Sequence, residues 1–247
     1  MPPQVAGPYL VQVELLRDRM PSFEAFPFCV PAIRHLQSMP FHPQVTFLVG
    51  ENGSGKSTLL EALAVLYKLN PEGGSRNFNF ASKETHSMLD RCLRLGRTMY
   101  LAKDAFFLRA ESFYNVATEV DRLGLDKERY YGGKSLHAQS YGEAFFTLFE
   151  KRFHGSGLYL LDEPEAALSP NRQLQFLALM HDYCRRGAQF VIATHSPIIM
   201  AYPQATIQLL DESGIHEVPY EETEHFKVAR AFLSNRKKML RMLLEEE

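Results

Sequence analysis

An α/β fold with a mainly parallel central sheet is the architecture this sequence predicts, on three observations. The run Gly50-Glu51-Asn52-Gly53-Ser54-Gly55-Lys56-Ser57-Thr58 fits the phosphate-binding pattern G-x-x-x-x-G-K-[ST]. It lies between an apolar, β-branched run, Val45–Val49, and leucines at helical spacing, Leu59, Leu60, Leu63, Leu66 and Leu69. Two later apolar runs, Gly157–Asp162 and Gln189–Thr194, read as buried strands with a helix between them. Buried strands alternating with helices build a parallel sheet.

The elements follow in order. Tyr9–Leu16 partly alternates and reads as a first strand, and the proline-punctuated stretch from Pro21 to Pro43 reads as irregular with short strands. After the phosphate loop, Asn70-Pro71-Glu72-Gly73-Gly74 ends the first helix and opens a loop to about Ser82. Ser87–Arg97 suits a helix or a strand, and Ala105–Ala110 is a strand. The polar segment Asp121–Gln139 reads as a surface insertion, and a helix runs from Ser140 to about His154. Ser169-Pro170 supplies a cap and first-turn proline for the next helix, which Arg185-Arg186-Gly187 stops. Ile207–Val218 is a hairpin about Glu212-Ser213-Gly214, and an exposed helix occupies about 223–247. The chain reads as one domain over 1–247, with a helical insertion over about 70–156.

The chemistry starts at the phosphate loop, whose glycines let successive backbone N–H groups face phosphate oxygens. Lys56 is placed to reach the β- and γ-phosphates and Ser57 to offer its hydroxyl to Mg2+. Asp162 and Glu163 stand at the carboxyl end of a parallel strand, where such folds bind ligands. Asp162 suits the metal opposite Ser57, and Glu163 suits accepting a proton from a water aimed at the γ-phosphate. Alone, two acids at a strand end equally cap the next helix. His195, in Thr194-His195-Ser196-Pro197, ends another apolar strand at the same edge, in reach of the γ-phosphate or the attacking water. Ser140-Tyr141-Gly142-Glu143 is a capping box of the form S-x-x-E, and the same helix start offers an anion site to a nucleotide on another subunit.

The order of these motifs resembles the ATP-binding-cassette ATPases, in their soluble SMC, RecF and OLD-like branch. The resemblance rests on Gly50–Ser57, Ser140-Tyr141-Gly142-Glu143, Leu161–Ser169 and Thr194–Pro197. Through Phe107–Ser112 and Thr223-Glu224-His225 it extends to small bacterial AAA-type predicted ATPases. It implies a P-loop head with an N-terminal antiparallel β portion and a helical signature subdomain. It also implies a head-to-tail homodimer that sandwiches two ATP molecules with Mg2+. Gly50, Glu51, Asn52, Gly53, Ser54, Gly55, Lys56, Ser57 and Thr58 would then bind the nucleotide, joined from the other copy by Ser140, Gly142 and Glu143. Glu163, His195 and Lys56 would be catalytic, and Ser57, Asp162 and Glu111 would serve the metal, Glu111 replacing the family's lid glutamine. Tyr141 and Glu143 depart from the usual glycine and glutamine of the signature. Ala166-Ala167-Leu168 would sense the opposing site. No heptad-bearing stretch separates Lys56 from Ser140, so the chain resembles a head without coiled-coil arms.

Composition narrows the partners. A formal charge of −2 advertises no basic field for nucleic acid, although a local basic patch is compatible with it. Cys29, Cys92 and Cys184 are widely separated, without metal-binding pairs. No apolar run reaches membrane-spanning length and no signal sequence opens the chain, so a cytoplasmic protein without a membrane partner is expected. Three functions stay open: an ATPase whose closure drives DNA-related or phage-defence work, with DNA or an effector protein as partner; an ATP sensor with little turnover; and a small-molecule kinase.

Overall fold

The computed structural model describes residues 8–75, 87–99, 101–109, 118, 141–153 and 155–244. Its central sheet has six strands in the order β5 (Asp104–Arg109), β6 (Gly157–Asp162), β7 (Gln189–Ala193), β3 (Val45–Val49), β8 (Ala205–Asp211) and β9 (Gly214–Glu217). The first five run parallel and β9 turns back antiparallel on β8. A second, antiparallel sheet has the order β2 (Ser38–Pro40), β1 (Leu10–Leu15), β4 (Leu93–Arg97). The ambiguous stretch from Ser87 resolves into a short 3-10 turn, Met88–Cys92, followed by β4.

Both faces of the central sheet are buried, as a parallel sheet requires. Tyr159, Leu161, Phe190 and Ile192 face one side with α3 (Tyr141–Arg152) and α4 (Pro170–Arg185). Leu158, Leu160, Val191 and Ala193 face the other, against α2 (Lys56–Leu66) and β1. An aromatic ladder pins α3 to the sheet: Phe145–Phe149 at 4.9 Å, Phe149–Phe153 at 4.3 Å and Phe153–Tyr159 at 4.1 Å between ring centroids. Below it, the buried Asp104 accepts from Arg152 Nη1 at 2.7 Å and from the Tyr159 hydroxyl at 2.9 Å. The start of the helical signature region is thus held from its far end.

Three boundaries differ from the sequence reading. α2 stops at Leu66, short of Asn70, because Lys68 takes a left-handed φ of 62°. Lys68 N then donates to Val65 O and Leu69 N to Ala64 O, both at 2.9 Å, the hydrogen-bond pattern that closes a helix without waiting for Gly73. Ser169 occupies the cap position of α4, but its side chain makes no capping hydrogen bond, and Pro170 alone sets the first turn. The single C-terminal helix is two, α6 (Glu224–Ser234) and α7 (Arg236–Leu244), broken at Asn235, whose φ of −147° is not helical. Between β7 and β8 lies the short α5 (Pro197–Met200), and before β2 the short α1 (Pro31–His35).

One side chain joins the two sheets. Gln189, fully buried at the start of β7, accepts from the Tyr9 and Leu10 N–H groups at 2.8 Å each. Its amide donates to the carbonyls of Leu10 at 2.9 Å and His42 at 3.0 Å. Buried backbone groups deprived of partners cost about 1–3 kcal/mol each. Gln189→Leu, of similar size, is therefore expected to lower unfolding free energy by about 3 kcal/mol or more, read as a drop in the denaturant midpoint.

Candidate functional site

The parallel register puts the strand ends side by side. Leu48 pairs with Ala193, Ala193 with Asp162, and Asp162 with Arg109. Gly50, Glu163 and Thr194 therefore leave the sheet at one edge, beside the N-terminus of α2. Gly50, Gly53 and Gly55 all have positive φ, at 152°, 82° and 97°. A Cβ on Gly50 would sit 2.3 Å from the Leu210 carbonyl oxygen, so no larger residue fits against β8 there.

Lys56, Ser57 and Asp162 meet as the motifs imply. The buried Lys56 Nζ donates to the carbonyls of Gly50 and Glu51 at 2.8 Å each. Burial pushes its pKa down, and Glu163, Asp162, Glu51 and Glu165 push it back up. Ser57 Oγ donates to Asp162 Oδ1 at 3.0 Å. The Ser54 hydroxyl is buried with no hydrogen-bond partner among the described residues. A loop of left-handed glycines, an orphaned hydroxyl and a hydroxyl–carboxylate pair are a donor set that fits Mg2+ and nucleotide phosphates.

Glu163 is 44% exposed in its side chain and adopts left-handed backbone, φ 51° and ψ 53°, as the chain turns off β6 into a 3-10 turn, Pro164–Ala167. Its N–H donates to Ala193 O at 2.9 Å, and His195 Nε2 lies 3.8 Å from its Oε1. His195 is held at its backbone and at its ring. Its N–H donates to Glu165 Oε1 at 2.5 Å, Glu165 Oε2 accepts from Thr194 Oγ1 at 2.8 Å, and Nδ1 lies 2.9 Å from Nε2 of His225. Burial raises the Glu165 pKa, opposed by the hydrogen bonds from His195 and Thr194. Ser196 caps α5, accepting from Ile198 and Ile199 N–H at 3.2 Å each.

Of the signature residues, Gly142 and Glu143 open α3, while Ser140 lies outside the described residues, as do the metal candidate Glu111 and the segment Asp121–Gln139. A Cβ on Gly142 would come 2.9 Å from the Ala167 carbonyl oxygen, so the signature glycine packs against the turn that follows Glu163. Two site residues stand in the runs that carry the family resemblance but had no role assigned from the sequence. Arg109 Nη1 reaches Glu61 Oε2 at 2.8 Å and its Nε lies 3.5 Å from Asp162 Oδ2. Its signal was a lone cation closing the apolar run Ala105–Leu108. The other is His225, brought to His195 by a helix far along the chain.

Two family profiles match the chain: "P-loop containing region of AAA domain" over residues 32–85, and "AAA domain, putative AbiEii toxin, Type IV TA system" over 104–201. Over 163 residues the chain is 30% identical to the cytochrome c biogenesis ATP-binding export protein CcmA of Rhodopseudomonas palustris, covering 61% of this chain and 78% of that protein. The chain belongs to the ATP-binding-cassette-type P-loop ATPases. The chemistry shared in that family is the binding and hydrolysis of ATP. The macrolide export ATP-binding/permease protein MacB of Escherichia coli O157:H7 is 24% identical over 224 residues, covering 83% of this chain and 34% of that protein. Against other larger relatives the chain spans between 24% and 36% of their length. In fold it is similar to an SMC head solved bound to the C-terminal winged-helix domain of ScpA, with a TM-score of 0.50, 15% identity and coverage of 85% of this chain and 98% of that one. No helix among the described residues is long and apolar enough to cross a membrane.

Burial holds both imidazoles below their ordinary value of 6.5, with Lys56 adding to the effect in each and nearby glutamates opposing it. The folded chain therefore resists protons that the unfolded chain takes up below that value, so stability is full above it and falls on acidification. The melting temperature is expected to drop between pH 7.5 and 5.5, and to drop less in the double variant His195→Gln/His225→Gln. His42, also lowered by burial, remains in both proteins.

Proposed function

We propose that the chain is an ATPase in which two copies close head to tail over two ATP molecules. The observation that carries this reading is the convergence of Lys56, Ser57, Asp162, Glu163 and His195 on one sheet edge, with Ser57 Oγ 3.0 Å from Asp162 Oδ1. Lys56 turns from the loop carbonyls to the β- and γ-phosphate oxygens of the substrate, and Gly50–Thr58 supply backbone donors. When bound, Mg2+ neutralises charge on those oxygens, and Ser57 and Asp162 are the residues to hold it, with Glu111 as a further candidate from the sequence. Glu163, half-exposed beyond Asp162, accepts the proton of the attacking water as its oxygen bonds to the γ-phosphorus and the bond to the β–γ bridging oxygen breaks. His195 donates to the γ-phosphate from Nε2.

The start of α3, with Ser140, Gly142 and Glu143, addresses the phosphate held by the other copy. The contact between Gly142 and Ala167 supports this arrangement, because it ties each signature helix to the turn carrying its own Glu163. The domain is taken as one unit over 1–247. For the work driven, phage defence with an effector protein, or DNA-related work with DNA as partner, is the expectation for a soluble head, and the profile naming a putative AbiEii toxin of a type IV TA system is compatible with the first. A second reading, coupling to a membrane protein, is favoured by the export proteins among the relatives. Pull-down from cytosol and from detergent-solubilised membrane separates these.

Glu163→Gln keeps shape while removing the base, and is expected to lower turnover by about 10²–10⁴-fold and to leave an ATP-bound dimer on size-exclusion chromatography. Lys56→Ala is expected to lower turnover about a hundred-fold or more and to abolish the ATP-dependent dimer. Wild-type turnover by Glu163→Gln, with a monomer at saturating ATP, would show the sandwich reading to be wrong.

A further inference from the structure

The contact between His195 and His225 gives the run Thr223-Glu224-His225, at the start of the C-terminal helices, a task in the site. Thr223, fully buried, caps α6 by accepting from Phe226 N at 3.4 Å and donates its own hydroxyl proton to Tyr220 O at 2.7 Å. Tyr220 in turn donates to Pro197 O at 2.7 Å and packs on Phe226 with ring centroids 4.7 Å apart. The first turn of α6 is therefore fastened to the residues that follow His195, and His225 is carried on that turn. It faces the phosphate loop across a cavity of about 480 Å³ lined by Gly50–Ser54, Leu210 and Glu224.

The direction of the histidine contact follows from what flanks it. At 2.9 Å, one nitrogen brings the proton and the other the lone pair. His195 Nε2 is buried without a hydrogen-bond partner among the described residues and points toward Glu163 Oε1, 3.8 Å away. A carboxylate there favours the proton on Nε2, and so does a γ-phosphate. A neutral His195 protonated at Nε2 has only a lone pair at Nδ1, which leaves Nε2–H of His225 as the donor. The charged groups facing the pair are Lys56 and Glu51 from the phosphate loop and α2, Glu163 and Glu165 from the turn after β6, and Glu224 from α6. The neutral state of both rings agrees with their burial.

We propose that His225 is a positioning residue for ATP hydrolysis: its Nε2–H donates to His195 Nδ1 and fixes His195 in the Nε2–H tautomer aimed at the γ-phosphate. The inference rests on the ATPase reading above. The first turn of α6 then forms part of the nucleotide site, and any displacement of His195 on closure is transmitted to the C-terminal helices.

The test compares His225→Leu, which removes the donor, with His225→Gln, whose amide places an N–H close to the lost Nε2. In the full chain, His225→Leu is expected to lower kcat about tenfold or more with little change in the KM for ATP. His225→Gln is expected to recover kcat to within about threefold. In a His195→Ala background, His225→Leu should have no further effect. Nitrogen-15 NMR of the wild-type imidazoles, which needs no variant to fold, should show His195 protonated at Nε2 and His225 donating. A proton on His195 Nδ1, or equal losses in His225→Leu and His225→Gln, would overturn the proposal. If Glu163→Gln and Lys56→Ala abolish turnover while His225→Leu does not, only this inference fails. If Glu163→Gln keeps turnover, the reading of the site fails first.

Discussion

The parallel pairing of β3, β7, β6 and β5 is the constraint on which the rest of the molecule depends. Leu48, Ala193, Asp162 and Arg109 stand level across four strands, so Gly50, Glu163 and Thr194 leave the sheet at the same edge. The pairing is fixed by burial on both faces, because side chains alternate between the α3–α4 layer and the α2–β1 layer. A slip of one residue would send Tyr159 and Leu161 to the wrong layer and carry Asp162 away from Ser57. Core packing and site geometry are therefore one requirement.

At that edge most of the polar groups bond to one another, the Ser54 hydroxyl and His195 Nε2 excepted. Lys56 rests on two loop carbonyls, Ser57 on Asp162, Arg109 between Glu61 and Asp162, and Glu165 takes two hydrogens from the strand end that carries His195. Each contact resembles the one that substrate oxygens or a cation would make in its place. Exchange of like for like needs little rearrangement, and preorganised dipoles of this kind are the main source of catalytic stabilisation in water-poor sites.

How much of this could be read in the chain depends on sequence distance. The phosphate loop, Asp162-Glu163 and Thr194-His195 were legible because each is a local signature on a strand of unmistakable pattern. The sheet followed from their flanks, and the hairpin formed by β8 and β9 from Glu212-Ser213-Gly214. Arg109 was hidden because its meaning lies in Glu61 and Asp162, which only folding brings near. Gln189 looked like an ordinary strand start, yet it bonds to residues at the far N-terminus. The end of α2 was misread because a lysine, Lys68, took the left-handed position that glycine usually marks.

The backbone of Glu163 carries a consequence for sequence drift. A non-glycine residue at φ 51° costs about 1 kcal/mol or more, a penalty that glycine, with no Cβ, would not incur. Under selection for thermal stability alone, position 163 would drift toward glycine or asparagine. A carboxylate persists there only while something depends on its chemistry. Under the proposed mechanism, descendants that relax this residue while keeping Lys56 and Ser57 would mark lineages that still hold nucleotide after giving up turnover.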